Sequence, residues 1–378
     1  MAVEEIYLSS PVITVVITFG LLWILYPAWL VLTVDSIDWT VEQLSIKSSS
    51  SVVSKTDNSK FSKPPILSLI IPAYNEQDRI NIMIRECFEY LTSKRGEKLI
   101  QKLHLCAQMM SSDDSNLQKE HCKAVVSRPE IEWLIVNDGS CDSTCDIVRE
   151  THTSLLSNSL SDYSLESKWK IVSLKQNSGK GAAVKTGMHL AEGVFHLMVD
   201  ADGATDFGNG IENLTRELHV MMERNSSMEG DRSLIAVFGS RAHLEKTSAV
   251  KRTVVRTILM KAFHFFVSLF VSAKVKDTQC GFKLFTKPAS DFVSNNLHLR
   301  RWAFDTEIII LCDKQSIDIL EVNVPWHEVD GSKLSTSKLA LALVSMSMLR
   351  DMICVWACYT FGIWKINEVR SIGSRFKN

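Results

Sequence analysis

Residues 200–203 read Asp-Ala-Asp-Gly and follow directly on the apolar run His196-Leu-Met-Val199. In an extended segment, side chains two positions apart point to the same side. Asp200 and Asp202 therefore present two carboxylates together, where a buried strand opens into a loop. Mg²⁺ and Mn²⁺ are hard cations that take such oxygens, and Mg²⁺ usually shares them with a substrate's phosphates. An isolated Asp-x-Asp is as readily a solvated acidic turn. Here three further loops keep it company.

Each of those loops also ends an apolar run. In Pro72-Ala-Tyr-Asn-Glu76, Pro72 is expected to fix a turn, Tyr74 to offer a stacking face and Glu76 to accept hydrogen bonds from a base or sugar. In Asn137-Asp-Gly-Ser140, Asp138 is a free acceptor at a glycine turn. In Gly179-Lys-Gly181 the glycines let backbone approach a phosphate, Lys180 brings charge, and the next helix offers its N-terminus. This last loop is not a Walker P-loop, because Gly181 stands where Ser or Thr is needed. Each loop alone is weak. In this order, at strand ends, they describe a site for a nucleotide with a metal-bound diphosphate.

The elements that position them alternate. Strands are expected at 66–73, 131–137, 170–174, 194–199 and 234–240, with helices from about 76–91, 142–150, 182–191 and 210–224 between them. Such alternation implies an α/β fold with a mostly parallel sheet flanked by helices. Right-handed crossovers then bring the strand C-termini to one edge, where ligands bind. Residues 94–130 and 152–167 are polar and read as insertions.

The 378 residues carry a net charge of −1, so no basic footprint suggests nucleic acid. Residues 6–34 hold no charged side chain, and a bilayer span needs roughly 20 residues. Glu4 and Glu5 stand where a signal peptide would be basic, so a retained N-terminal transmembrane anchor is expected over 6–34. Lys47, Lys55, Lys60 and Lys63 then place the remaining chain in the cytosol. Residues 35–65, Ser- and Lys-rich toward Pro64-Pro65, read as a linker, and 66–330 as the catalytic domain. Two apolar helices, 251–271 and 339–364, are expected to lie on the membrane surface, the second within a C-terminal segment 331–378. The nine cysteines show no zinc spacing and read as reduced, small apolar residues. His189, His243 and His298 show no ligand spacing either.

The loop series resembles the family 2 glycosyltransferases with their GT-A-type fold, over about residues 66–330. Gly239-Ser-Arg241, Asp277-Thr-Gln-Cys-Gly-Phe-Lys283 and Arg301-Trp-Ala-Phe-Asp305 are similar to the polyprenyl-phosphate sugar transferase branch. The resemblance implies UDP-glucose as donor and dolichyl phosphate as acceptor, at the cytosolic face of the endoplasmic reticulum membrane. It implies that Pro72, Tyr74, Glu76 and Asp138 hold uridine, and that Asp200 and Asp202 bind Mg²⁺ or Mn²⁺ and diphosphate. Asn137 replaces a second carboxylate, and Ala204 replaces a Gln that mannosyl relatives use near the metal. Arg241, Lys251, Arg252 and Arg256 are the candidates for the acceptor phosphate. Asp305 and Glu307 sit where many relatives place a catalytic acid, and are expected to orient sugar hydroxyls or Lys283. Gln279, within the Asp277–Lys283 stretch, is a further candidate.

Three other readings are open. One is a mannosyl transferase to the same lipid, using GDP-mannose. Another is a processive polysaccharide synthase, although His298-Leu-Arg-Arg-Trp302 lacks the Gln of its signature. The third is a silent membrane scaffold, against which intact Asp200, Asp202 and Lys180 argue.

Overall fold

The structure is a computed structural model, and it describes residues 18–28, 37–44, 64–111, 130–158, 166–227, 234–244, 275–329 and 338–367, with 266 and 271 as single positions. Two compact units are present. The larger comprises 37–250, 274–332 and 367–378, and the smaller 1–36, 251–273 and 333–366.

In the larger unit the chain runs β1 (Trp39–Leu44), β2 (Leu67–Ala73), α1 (Ile80–Leu91), α2 (Lys94–Ser111), β3 (Glu130–Asn137), α3 (Thr144–Asn158), β4 (Glu166–Leu174) and α4 (Lys180–Leu190). It continues through β5 (Phe195–Val199), α5 (Phe207–Ser227), β6 (Ile235–Ser240), β7 (Phe282–Thr286), α6 (Lys287–Asn296), α7 (Phe304–Lys314) and β8 (Asp318–Asn323). The described strands form one sheet in the order β1-β4-β3-β2-β5-β7-β6-β8. β4, β3, β2 and β5 are mutually parallel, as is β6 with β8. β7 runs antiparallel between β5 and β6, and β1 antiparallel at the edge beside β4.

Hydrophobic burial explains the central strands. Every residue of β2, β5, β6 and β7 is buried, as expected where helices cover both faces. Trp133 of β3 and Trp169 of β4 are register partners, and their rings stack at 4.3 Å. Helix α4 lies close to β2 because Gly187 carries no Cβ where Ile70 and Val136 pack.

Several expected boundaries move. Residues 39–44, expected in the linker, form edge strand β1, held by backbone pairing with β4 rather than by burial. Of the interruption expected at 152–167, residues 152–158 are helical and 166–167 open a strand, while 159–165 lie outside the described residues. Helix α3 runs to Asn158 because Leu155 packs into the core, and β4 begins at Glu166. Of 94–130, the helical part is α2 and Glu130 opens β3, while 112–129 lie outside the described residues.

In the smaller unit, residues 18–28 are helical and α8 spans Lys338–Thr360. The rest of the expected 6–34 anchor lies outside the described residues, as does nearly all of the 251–271 helix. Among the described residues no helix is long and apolar enough to cross a membrane. Helix α8 lacks the amphipathic pattern that a helix lying on a membrane surface would show. Met352, Val355 and Cys358 are buried while Leu343, Met346 and Trp356 are exposed, so it is apolar on both sides. Its charged pair Arg350–Asp351 is internally satisfied at 2.7 Å, and Arg350 lies over the Trp23 and Tyr26 rings. The eight cysteines among the described residues are free.

One buried charge cluster fixes the turn between α4 and β5. Fully buried Glu132 accepts from Ser68 and from the backbone N–H of Glu192, and pairs with Lys170 at 2.7 Å. Lys170 also reaches Glu192 at 2.6 Å. Removing the ammonium leaves a buried carboxylate uncompensated. Lys170→Met is therefore expected to lower unfolding stability by about 3 kcal/mol, read from denaturant unfolding of the solubilised protein. A loss below about 0.5 kcal/mol would contradict this role.

Candidate active site

Because β2, β3, β4 and β5 are parallel, the loops after Ala73, Asn137, Leu174 and Val199 open on one edge. The order reverses at β2, with β3 and β4 on one side and β5 on the other, which makes the crevice of an open α/β sheet. Antiparallel β7 adds to this edge from the other direction. Its first residue, Phe282, lies opposite Val199, so the preceding loop 275–281 meets the acidic loop. The end of β6 brings Arg241 to the same edge.

Asp200 is held by its neighbours. A Cβ on Gly281 would overlap the Asp200 carboxylate, so only glycine lets that loop close against it. The loop is fixed from beneath by Lys283, whose buried ammonium donates to the carbonyls of Thr278 (3.2 Å) and Cys280 (2.6 Å) and to Asp305 (2.6 Å). Lys180 Nζ lies 2.6 Å from Asp200 Oδ1, off the hydrogen-bond direction, so that buried oxygen has no aligned donor. Burial draws the Lys180 ammonium down, but Asp200, Asp305 and Asp202 outweigh it and the net shift is upward. Burial pushes the Asp305 carboxyl up, against the pull of Lys283 and Lys180. Asp202 accepts from the N–H of Ala204 at 3.0 Å.

Two expected acceptors are instead clamps. Asp138 is buried, and its carboxylate takes the N–H groups of Ser178 (2.6 Å) and Gly179 (2.9 Å) and the Asn177 amide (3.2 Å). It is not free, because Gly139 at φ 69° turns the loop so that 177–179 fold over it. Burial raises its pKa, opposed by the two N–H groups and by Arg301. Fully buried Glu307 likewise grips the N–H groups of His298 (3.0 Å) and Leu299 (2.6 Å) and the His298 ring (2.9 Å). Its carboxylate is shut away from solvent.

The 297–301 strap thus held explains the Gly-Lys-Gly motif differently from the sequence reading. Cβ atoms on Gly179 and Gly181 would strike the carbonyls of Arg300 and Leu299, and Ala182 N–H donates to Arg300 at 3.0 Å. The close approach is to protein backbone. Lys180, between the glycines, is left facing the acidic loop.

At the first loop, Pro72 is a buried residue of β2 opposite Val136 and does not fix the turn. Asn75 does so, at φ 54°, with its side chain accepting from Cys141 N–H. Glu76 is mostly buried and paired with Arg79 at 2.6 Å, so that carboxylate is already engaged. Tyr74 is 37% exposed and keeps an open ring face.

Arg241 lies at the edge but is forked onto Asp277 through Nε (2.8 Å) and Nη2 (2.9 Å), over the Trp326 ring. Burial depresses both charges' stability, yet the pairing wins, holding Arg241 above and Asp277 below their usual ranges. Gln279 has a buried Nε2 with no partner among the described residues. Lys251, Arg252 and Arg256 lie outside the described residues. The sequence reading assigned no role to Arg301, which is exposed beside Gly179 and acts on Asp138. Its signal in the sequence was its place at the head of Arg301-Trp-Ala-Phe-Asp305.

The acidic loop fits a hard cation. Its donors are carboxylate oxygens, one of them buried without an aligned donor, and the missing Cβ of Gly281 makes room for the Asp200 carboxylate. Among the described residues no group of three or more His, Cys, Asp and Glu is placed to hold a metal. Asp200 and Asp202 are the described residues that would hold such a cation.

Residues 116–220 match the family described as glycosyl transferase family 2. A dolichyl-phosphate beta-glucosyltransferase of Dictyostelium discoideum is 37% identical over 305 residues, 80% of this chain and 77% of that protein. The protein of that name from Saccharomyces cerevisiae is 34% identical over 304 residues, 80% and 77% of the two chains. The glucosyl-3-phosphoglycerate synthase of Mycobacterium tuberculosis, solved with UDP, overlays with a TM-score of 0.45 at 13% identity, over 78% of this chain and 80% of that one.

Gly281→Ala tests the packing against Asp200. It should weaken Mn²⁺ binding by at least about tenfold with the circular dichroism spectrum unchanged. Wild-type Mn²⁺ affinity in that variant would show that the loop does not shape the acidic site.

Proposed function

The chain belongs to the family of the dolichyl-phosphate β-glucosyltransferases, and on that premise we propose that it draws on UDP-glucose to glucosylate dolichyl phosphate. The observation that carries the reading is the meeting of the four strand-end loops with Asp200 and Asp202 at one sheet edge. The exposed ring of Tyr74 suits a uracil face. Asp138 serves that pocket by holding loop 177–179 in place. Mg²⁺ or Mn²⁺ held by Asp200 and Asp202 would supply Lewis-acid stabilisation of the departing diphosphate.

The acceptor needs little activation. A phosphate monoester has a second pKa near ~6 and is largely dianionic at neutral pH, so no general base is required. The buried state of Asp305, spent on Lys283, agrees with this. It is a positioning residue for the 277–281 loop. What the chain must do is bring two anions together. Lys180 supplies charge at the acidic loop, and Arg241 has Nη1 left over from its fork on Asp277. Lys251, Arg252 and Arg256 complete the proposed acceptor-phosphate group, a reading supported by sequence alone. In-line attack inverts the sugar, so an α-linked donor gives a β-linked product.

The reading includes residence at the endoplasmic reticulum membrane with the larger unit in the cytosol. It is supported by the uncharged stretch 6–34, by the lysines that follow, and by exposed Phe19, Leu22, Trp23 and Phe361 in the smaller unit.

Membranes containing the protein should transfer label from UDP-glucose into organic-extractable lipid. Asp202→Ala should leave less than about 1% of that rate. Labelling from GDP-mannose instead would overturn the donor assignment. No lipid labelling from either donor by the folded protein would favour the scaffold.

A further inference from the structure

We propose that Lys180 and the divalent cation compete for Asp200, and that the cation's arrival hands Lys180 to the donor's diphosphate. Metal and nucleotide binding are thereby coupled through one side chain. The inference rests on the metal-assisted reading above and goes beyond it in assigning Lys180 a second partner.

The packing of Asp200 against Gly281 makes Lys180 the member of the pair that moves. The Asp200 carboxylate is wedged against Gly281, whose loop Lys283 ties down through the Thr278 and Cys280 carbonyls. Lys180 is the first residue of α4, and its side chain keeps 21% of its surface exposed. Its ammonium stands 2.6 Å from Asp200 Oδ1, one of the oxygens a hard cation would claim. A cation there repels an ammonium at that range, so Lys180 must turn to another anion.

Little else among the described residues can receive it. Asp305, the next carboxylate to act on Lys180, is buried and already bonded to Lys283 at 2.6 Å. Asp202 is the cation's second ligand in this reading. The remaining counter-charge is the donor's diphosphate, which a cation on Asp200 would hold beside Lys180. It meets Lys180 by charge alone, because the N–H groups of Gly179 and Ala182 at the start of α4 are taken by Asp138 and the Arg300 carbonyl. Coupling of this kind is reciprocal, so nucleotide tightens metal as much as metal tightens nucleotide.

The test uses the full chain in detergent, with Mn²⁺ followed by electron paramagnetic resonance and UDP by calorimetry, each alone and together. Wild type should bind Mn²⁺, and Asp202→Asn should not. Lys180→Met should bind Mn²⁺ alone about three- to tenfold more tightly than wild type. The factor by which Mn²⁺ tightens UDP should fall at least about threefold in it. Lys180→Arg, which keeps the charge, should retain most of that factor and checks that the fold tolerates the site. Unchanged or weaker Mn²⁺ affinity in Lys180→Met, or an undiminished factor, overturns the competition while leaving the metal reading intact. If wild type binds no Mn²⁺ that Asp202→Asn removes, both fall together.

Discussion

Three carboxylates at one sheet edge can be kept close only if cations stand between them. Asp200, Asp202 and Asp305 all act on Lys180, and Asp305 is also bonded to Lys283. Burial of Asp305 carries a desolvation penalty of several kcal/mol, so without its lysines it would be protonated or the site would open. Alternation of sign avoids both. Lys283 spends its remaining protons on two loop carbonyls, which makes it the tie between the buried pair and the loop that shapes Asp200.

Around that core the polar economy is backbone-directed. Asp138 and Glu307 both look like chemistry in the sequence, and both are consumed in gripping N–H groups of loops. The two grips are connected. Asp138 holds Gly179 from one side, and Glu307 holds the strap whose Leu299 and Arg300 carbonyls press on Gly179 and Gly181 from the other. Lys180 is set between them, so its aim at Asp200 is inherited from two carboxylates that never touch it. A carboxylate accepting several N–H groups is a strong, directional anchor, which suits loops that cannot lean on a sheet for order.

The extent to which the site was legible follows from how far each partner lies along the chain. The acidic pair was legible because Asp200 and Asp202 are two residues apart at the end of an apolar strand, and strand geometry alone sets their direction. The four loops were legible because parallel strands deliver their ends together. The roles of Asp138, Arg241 and Glu307 were not. Asp138 meets a loop forty residues on, and Arg241 meets Asp277 thirty-six residues on, across strands whose pairing no local pattern reveals. Glu307 is nearer its strap, but nothing local shows that His298 and Leu299 turn their N–H groups inward. Pro72 misled for a related reason: it sits in a ladder, yet its type suggests a turn. β1 was hidden because an exposed edge strand has backbone partners and almost no burial to advertise it.

The buried acid also bears on which acceptor the fold serves. A hydroxyl acceptor must lose its proton as it attacks, so the enzyme needs an accessible base within hydrogen-bond reach. Asp305, which the resemblance matched to a catalytic acid, is no such base, being 3% exposed and bonded to Lys283. A phosphate acceptor brings its own charge and asks nothing of that residue. Freed from proton transfer, the carboxylate can be buried and used to hold a lysine, and through it the loop that confines Asp200. The same position thus moves from chemistry to architecture because the nucleophile arrives already ionised.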